Sequence, residues 1–242
     1  MATAIRWPAS TRAWICARII ESSRPVNRIL SSKWTKVAVF ALCLAPLANL
    51  VWRGFHDNLT ADPIAYITHV TGDWTLRFLV ITLAITPFRK MLHVPQLIRF
   101  RRMFGLFTFF YVTLHFATWV TLDHSFAWSE MWKDVQKRPF ITVGFAGFVL
   151  MIPLAVTSTA GWIRRLGGRR WQLLHRAIYL IAILGVVHYY WQVKSNTRKP
   201  LEYAWMVGIL LAWRLGAWLL QRAKHGAPGS AGPKEPVTAE TS

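Results

Sequence analysis

FGLFTFFYVTLHFATWVTL, residues 104–122, carries no formal charge and holds one histidine, His115, near its middle. An uncharged apolar run of this length reads as a helix that crosses a membrane. A second run, WQLLHRAIYLIAILGVVHYYWQV (171–193), holds His175 and His188. Ligand-capable side chains are costly inside a membrane and point to function. Imidazoles facing each other across a helix bundle are what a haem iron takes as axial ligands. The two stretches together predict an all-α polytopic membrane protein that carries electrons.

Composition agrees. The 242 residues are 54% hydrophobic and only 16% charged, with 14 Trp and 14 Phe. Long apolar runs alternate with short charged clusters, the pattern of a multi-pass membrane protein. The formal net charge is +19. Most of that excess lies in loops beside apolar runs, so anionic membrane lipids are the expected partner, and the absence of any binding motif argues against nucleic acid. The two cysteines, Cys16 and Cys43, share no metal-ligand spacing, so a metal centre must rest on histidine.

Six runs are expected to cross: 37–52, 74–88, 104–122, 140–162, 171–193 and 201–221. The chain then divides into a basic cytoplasmic extension (1–35), a six-helix transmembrane domain (36–222) and a disordered tail (223–242). Nineteen Lys and Arg fall on the side of the N-terminus and seven on the opposite side. The positive-inside rule places both termini in the cytoplasm. No glycine-rich nucleotide loop and no soluble domain is visible, so the chain has no familiar site for a nicotinamide.

Depth along the helices sorts the histidines. His115 lies eight residues inside Asp123, and His188 lies six inside Lys194. At 1.5 Å per residue these depths differ by about 3 Å. The two can approach one haem from opposite sides, between the third and fifth helices. His175 lies about 20 Å from His188 along the axis, so it belongs to a different, inner site. Thirteen residues leave an ideal helix about 140° short of whole turns, and Gly185 offers a point of distortion. A partner for His175 on the third helix would fall near residue 101, which is Arg101, beside Arg102. A guanidinium stays protonated and holds anions rather than iron. Arg101, Arg102 and Arg170 are therefore expected to bind a propionate or a flavin phosphate. His69 and His124 face the outer surface, where a quinol headgroup or a protein partner can dock.

Several stretches carry a family resemblance: ADPIAYITHVTGDW (61–74), ITPFR (85–89), RFRRMFGL (99–106), YVTLH (111–115), KRPFITVGF (137–145), LAVTST (154–159), RRWQLLHRAIYL (169–180) and VVHYYWQVK (186–194). In this order the chain resembles the MsrQ (YedZ) family, within the ferric-reductase-like transmembrane group. The resemblance covers roughly residues 60–200. It implies a haem b subunit of the bacterial inner membrane. Such a subunit takes electrons from the quinone pool and passes them to a periplasmic molybdopterin-containing subunit of the MsrP type, which reduces methionine sulfoxide in oxidised proteins. It also implies FMN, and leaves room for a cytoplasmic flavin reductase as donor. The family's motif histidines fall on His115, His175 and His188. Relatives with two haems have a histidine fourteen residues before the position of His115. Arg101 stands there in this chain, which leaves the second haem open. The competing readings are a stand-alone metal reductase component, and a haem-free transporter or scaffold.

Overall fold

The computed structural model describes residues 29–193 and 197–226. Most of the expected N-terminal extension (1–28) and of the tail (227–242) lies outside the described residues. Everything regular within them is helical. Helix α1 spans Lys33–Phe55, α2 Pro63–Met91 and α3 Ile98–Thr118. A five-residue π-turn, Trp119–Asp123, continues α3. Then come α4 (Trp128–Lys137), α5 (Pro139–Val156), α6 (Ala160–Leu166), α7 (Gly168–His175), α8 (Ala177–Gln192) and α9 (Arg198–Gly226).

Local chemistry sets the boundaries. Ser32 caps α1 by accepting from the Trp34 amide, and Asp62 caps α2 by accepting from the Ala65 amide at 3.0 Å, with Pro63 in the first turn. Both are standard N-terminal signals. Thr159 caps α6, and Gly167 separates α6 from α7 at φ +74°, a conformation that suits glycine.

Helices α2 and α3 run antiparallel: Thr68 and Gly72 meet His115, and Thr82 meets Gly105. Helices α5 and α8 do the same, with Phe140 and Gly144 against His188 and Gly147 against Leu184. The two pairs close on one core of Leu76, Leu79, Leu83, Met151, Leu154, Ile181 and Ala182. Helix α1 leans on α3. There the Tyr111 hydroxyl donates to the Cys43 carbonyl at 2.9 Å and accepts from the Leu47 amide at 3.2 Å. It thus inserts into one turn of α1 beside Pro46. Helix α9 packs on α8 and α2. Many large apolar side chains face outward, among them Phe40, Leu42, Val149, Ile183 and Ile209, as a lipid-facing surface requires.

Five segments are long and apolar enough to cross a membrane: Lys33–Phe55, Pro95–Asp123, Pro139–Val156, Gly168–Gln192 and Arg198–Ala223. Six were expected, and the one missing from this set is α2. That run was placed at 74–88, but the helix starts at Pro63 and includes His69 and Asp73. Asp73 is met by Lys199 of α9 at 3.8 Å and Arg77 at 4.0 Å. The hydroxyls of Thr68, Thr71, Thr75 and Thr82 bond carbonyls one turn back. These polar groups of α2 are thus satisfied within the bundle, whereas the buried Thr86 hydroxyl has no partner among the described residues. The fourth run ends at Val156 rather than 162, because α6 is a separate helix. The fifth is interrupted at Arg176, not at Gly185, which instead packs against Leu76. Helix α9 passes the boundary expected at 222 and ends at Gly226.

Candidate functional site

Two cavities lie between the antiparallel pairs, one toward each end of the bundle. One, called outer after the orientation expected from the loop charges, is about 400 Å³ and is lined by both His115 and His188. Their ring centroids are 6.1 Å apart and their planes are turned 83° from each other.

Each ring is held in the same way. His115 Nδ1 lies 2.9 Å from the Thr68 carbonyl, and His188 Nδ1 lies 2.7 Å from the Phe140 carbonyl. A carbonyl only accepts, so Nδ1 carries the proton in both rings and Nε2 is left with its lone pair. In a helix, the carbonyl of one residue faces the residue four positions on. Those positions are Gly72 and Gly144. A Cβ at Gly72 would sit 3.2 Å from His115 Nδ1, and one at Gly144 would sit 2.5 Å from His188 Nδ1. The absence of both side chains lets each imidazole lie against a helix backbone. Neither glycine was singled out from sequence. The signal was present, since each stands four residues after its acceptor carbonyl, but it has meaning only once the helix pairing is known.

These residues fit a haem iron. A metal–imidazole bond of about 2.0 Å on each side, with two ring radii, separates ring centres by about 6 Å. Nδ1–H donated to a backbone carbonyl is the usual support for a ligating histidine. Among the described residues no group of three His, Cys, Asp or Glu side chains can hold a bare metal ion. Two imidazoles suit a metal that brings its equatorial ligands with it. The cavity wall is apolar at depth, with Leu76, Leu79, Met151 and Ile181. It is polar at the outer end, with His69, Asp73, Asp123, Arg138 and Gln192.

The inner cavity, about 500 Å³, brings together Arg101, Arg102 and His175, with Arg176, Tyr179 and Ser158. His175 is held differently. The Thr157 hydroxyl donates to the Pro153 carbonyl at 2.6 Å and so accepts from His175 Nε2 at 3.0 Å. Trp171 stacks on the ring at 4.0 Å and donates to the Thr157 carbonyl. Among the described residues no carboxylate lines this cavity. Deeper in the bundle, Arg214 of α9 bonds the Tyr179 hydroxyl and donates to the Leu83 carbonyl at 3.1 Å.

The other expected residues are placed as follows. Arg170 is exposed on α7 and lines neither cavity. His69 lies within α2 at the outer mouth. His124 follows the π-turn, with Nε2 3.4 Å from Asp134 and 3.8 Å from Asp123.

The family described as ferric reductase like transmembrane component matches residues 71–186. Three similar proteins are each named protein-methionine-sulfoxide reductase heme-binding subunit MsrQ. That of Xanthomonas oryzae pv. oryzae is 49% identical over 208 residues, covering 82% of this chain and 95% of its own. That of Herminiimonas arsenicoxydans is 51% identical over 195 residues, covering 79% and 89%. That of Caulobacter vibrioides is 50% identical over 177 residues, covering 73% and 84%. No solved structure matches the chain.

Proposed function

The chain belongs to the MsrQ family of protein-methionine-sulfoxide reductase subunits, and on that premise we propose that it holds a haem b between His115 and His188 and relays electrons outward. The observation that carries this reading is the carbonyl-anchored imidazole pair, with its centroids 6.1 Å apart. When bound, the haem supplies one-electron chemistry at its iron. The protein's part is orientation. Thr68 and Phe140 fix the Nδ1 protons, Gly72 and Gly144 let the rings approach, and the apolar wall excludes water.

The receiving partner is a periplasmic molybdopterin-containing catalytic subunit that reduces methionine sulfoxide in proteins. Electrons enter from quinol in the bilayer or from a cytoplasmic flavin donor at the basic inner face. His175, Arg101 and Arg102 serve a separate inner site. The two guanidiniums there hold an acidic group, a haem propionate or the phosphate of FMN, and ligation through His175 Nε2 requires release of its Thr157 bond. Arg170 lies farther out on the same basic face, and His69 and His124 lie on the outer face where quinol or the partner docks.

Helix α2 acts as a sixth membrane span, since it lies antiparallel to α3 from Thr68 to Thr82 and must cross the depth that α3 crosses. The domain sits in the bacterial inner membrane with both termini cytoplasmic, as the loop charges favour. The deciding experiment is a reduced-minus-oxidised optical spectrum of the purified full-length chain. A low-spin b-type spectrum reducible by a quinol is expected. Protein purified in a haem-supplied host without any haem contradicts the reading.

A further inference from the structure

At the outer end of the His115/His188 cavity stands one cation with no assigned role, Arg138. Among the described residues it is the only lysine or arginine in the cavity lining, where the other charged residues are Asp73 and Asp123. It occupies the corner between α4 and α5, two residues before Phe140, whose carbonyl anchors His188. The corner is tightly bonded. The Arg138 amide donates to the Asp134 carbonyl at 2.9 Å, and Thr142 bonds the carbonyls of both Val135 and Arg138. Asp134 uses its two oxygens on two partners: Oδ1 lies 3.4 Å from Arg138 Nε, and Oδ2 lies 3.4 Å from His124 Nε2. The carboxylate and the His124 ring are largely buried, at 19% and 13% exposure, whereas Arg138 is 57% exposed. Neither contact is a hydrogen bond, and His124 Nε2 has no hydrogen-bond partner among the described residues, so Asp134 holds the side of the guanidinium as an ion pair. Among the described residues no other acceptor bonds it, so the two terminal nitrogens remain available as the fork that binds a carboxylate in two places.

Resting on the outer-haem reading above, we infer that Arg138 binds the propionate edge of the haem in the outer cavity, with Asp134 and His124 as the residues that position it. A haem is apolar over most of its body and acidic along one edge. The cavity is apolar at depth and polar at its outer end, so the acidic edge belongs at that end. There Asp73 and Asp123 repel it and Arg138 attracts it. One corner of the chain thereby sets both the orientation of His188 and the charge that meets the propionates.

The test uses the full chain loaded with haem or with haem dimethyl ester, whose propionates carry no charge. The readout is the rate at which each is lost to excess apomyoglobin. With haem, Arg138→Gln keeps the low-spin spectrum and loses its cofactor about tenfold faster, the range for one charge-assisted hydrogen bond. With the ester, Arg138→Gln and the unsubstituted chain release at equal rates. Asp134→Asn and Arg138→Lys, which leave a cation in place without its brace or its fork, give intermediate rates with haem only. Equal rates for haem in Arg138→Gln and the unsubstituted chain overturn the inference. So does an equal acceleration for haem and ester, which marks the corner as structural only. If Arg138→Gln does not insert, the same two comparisons are read on Arg138→Lys. An unsubstituted chain that takes up haem without a low-spin spectrum overturns the outer-haem reading itself, a result distinct from either.

Discussion

In the outer cavity both imidazoles give Nδ1 to a helix carbonyl and keep Nε2 bare; in the inner cavity His175 gives Nε2 to a hydroxyl that has already spent its own proton. Among the described residues the outer cavity mixes Asp73, Asp123 and Arg138, whereas the inner one has Arg101, Arg102 and Arg176 and no carboxylate. Two pockets between the same helices thus favour different occupants. The outer one presents two imidazoles held by Nδ1, with their centroids 6.1 Å apart. The inner one presents positive charge, with Arg101 half-buried and Arg102 and Arg176 exposed, and so suits an anion. Having a histidine in a membrane helix does not by itself make a ligand; the partner taken by its other nitrogen decides.

Substitutions can break this contrast in order of size. Gly144→Ala should be the most damaging, because its Cβ falls 2.5 Å from His188 Nδ1 and the ring must leave the Phe140 carbonyl. Loss of such support lowers metal affinity by about 10–100-fold, read as haem content per protein. Gly72→Ala, with its Cβ at 3.2 Å, should lose several-fold less. Gly208→Ala on α9, in the lining of neither cavity and with nothing within 4 Å of its Cβ, is the control and should keep full content. If Gly144→Ala binds haem like Gly208→Ala, the close approach has no role.

Arg101→Ala should spare the outer spectrum and weaken anion retention at the inner cavity. Loss of one charge-assisted contact predicts about a tenfold fall in affinity, measured as bound flavin or second-haem content. Arg170→Ala, exposed and in the lining of neither cavity, should change it little. An outer spectrum that disappears in Arg101→Ala would merge the two sites. An effect on stability rather than on cofactor content is expected from Thr157→Val, which removes the acceptor for His175 Nε2. It should cost about 1–3 kcal/mol of stability in thermal unfolding, leave the outer spectrum unchanged, and free His175 to shift. A changed outer spectrum would contradict the separation of the two sites.

Much of the outer site is legible in the sequence, because matched depth on two apolar runs already brings His115 and His188 together. The grouping of Arg101 with His175 follows from the same depth arithmetic. What was hidden depends on neighbours. Gly72 and Gly144 look like any membrane-helix glycines until an imidazole lies over them. The start of α2 is hidden because His69 and Asp73 interrupt its apolar run, while the partner that makes Asp73 tolerable, Lys199, is more than a hundred residues away. Helix α4 is too charged to show as a span and too short to show as a domain. Arg138 therefore read as one more loop cation. The interruption at Arg176 shows no proline or glycine, and it removes the expectation of one straight helix carrying both His175 and His188.

The central claim is that the outer pair alone holds the low-spin haem. Optical and electron paramagnetic resonance spectra of His115→Ala, His188→Ala and His175→Ala, each at matched protein level, test it most directly. The low-spin b-type signal should vanish in the first two and persist in His175→Ala. A full signal in His115→Ala, or its loss in His175→Ala with normal protein level, would contradict the assignment.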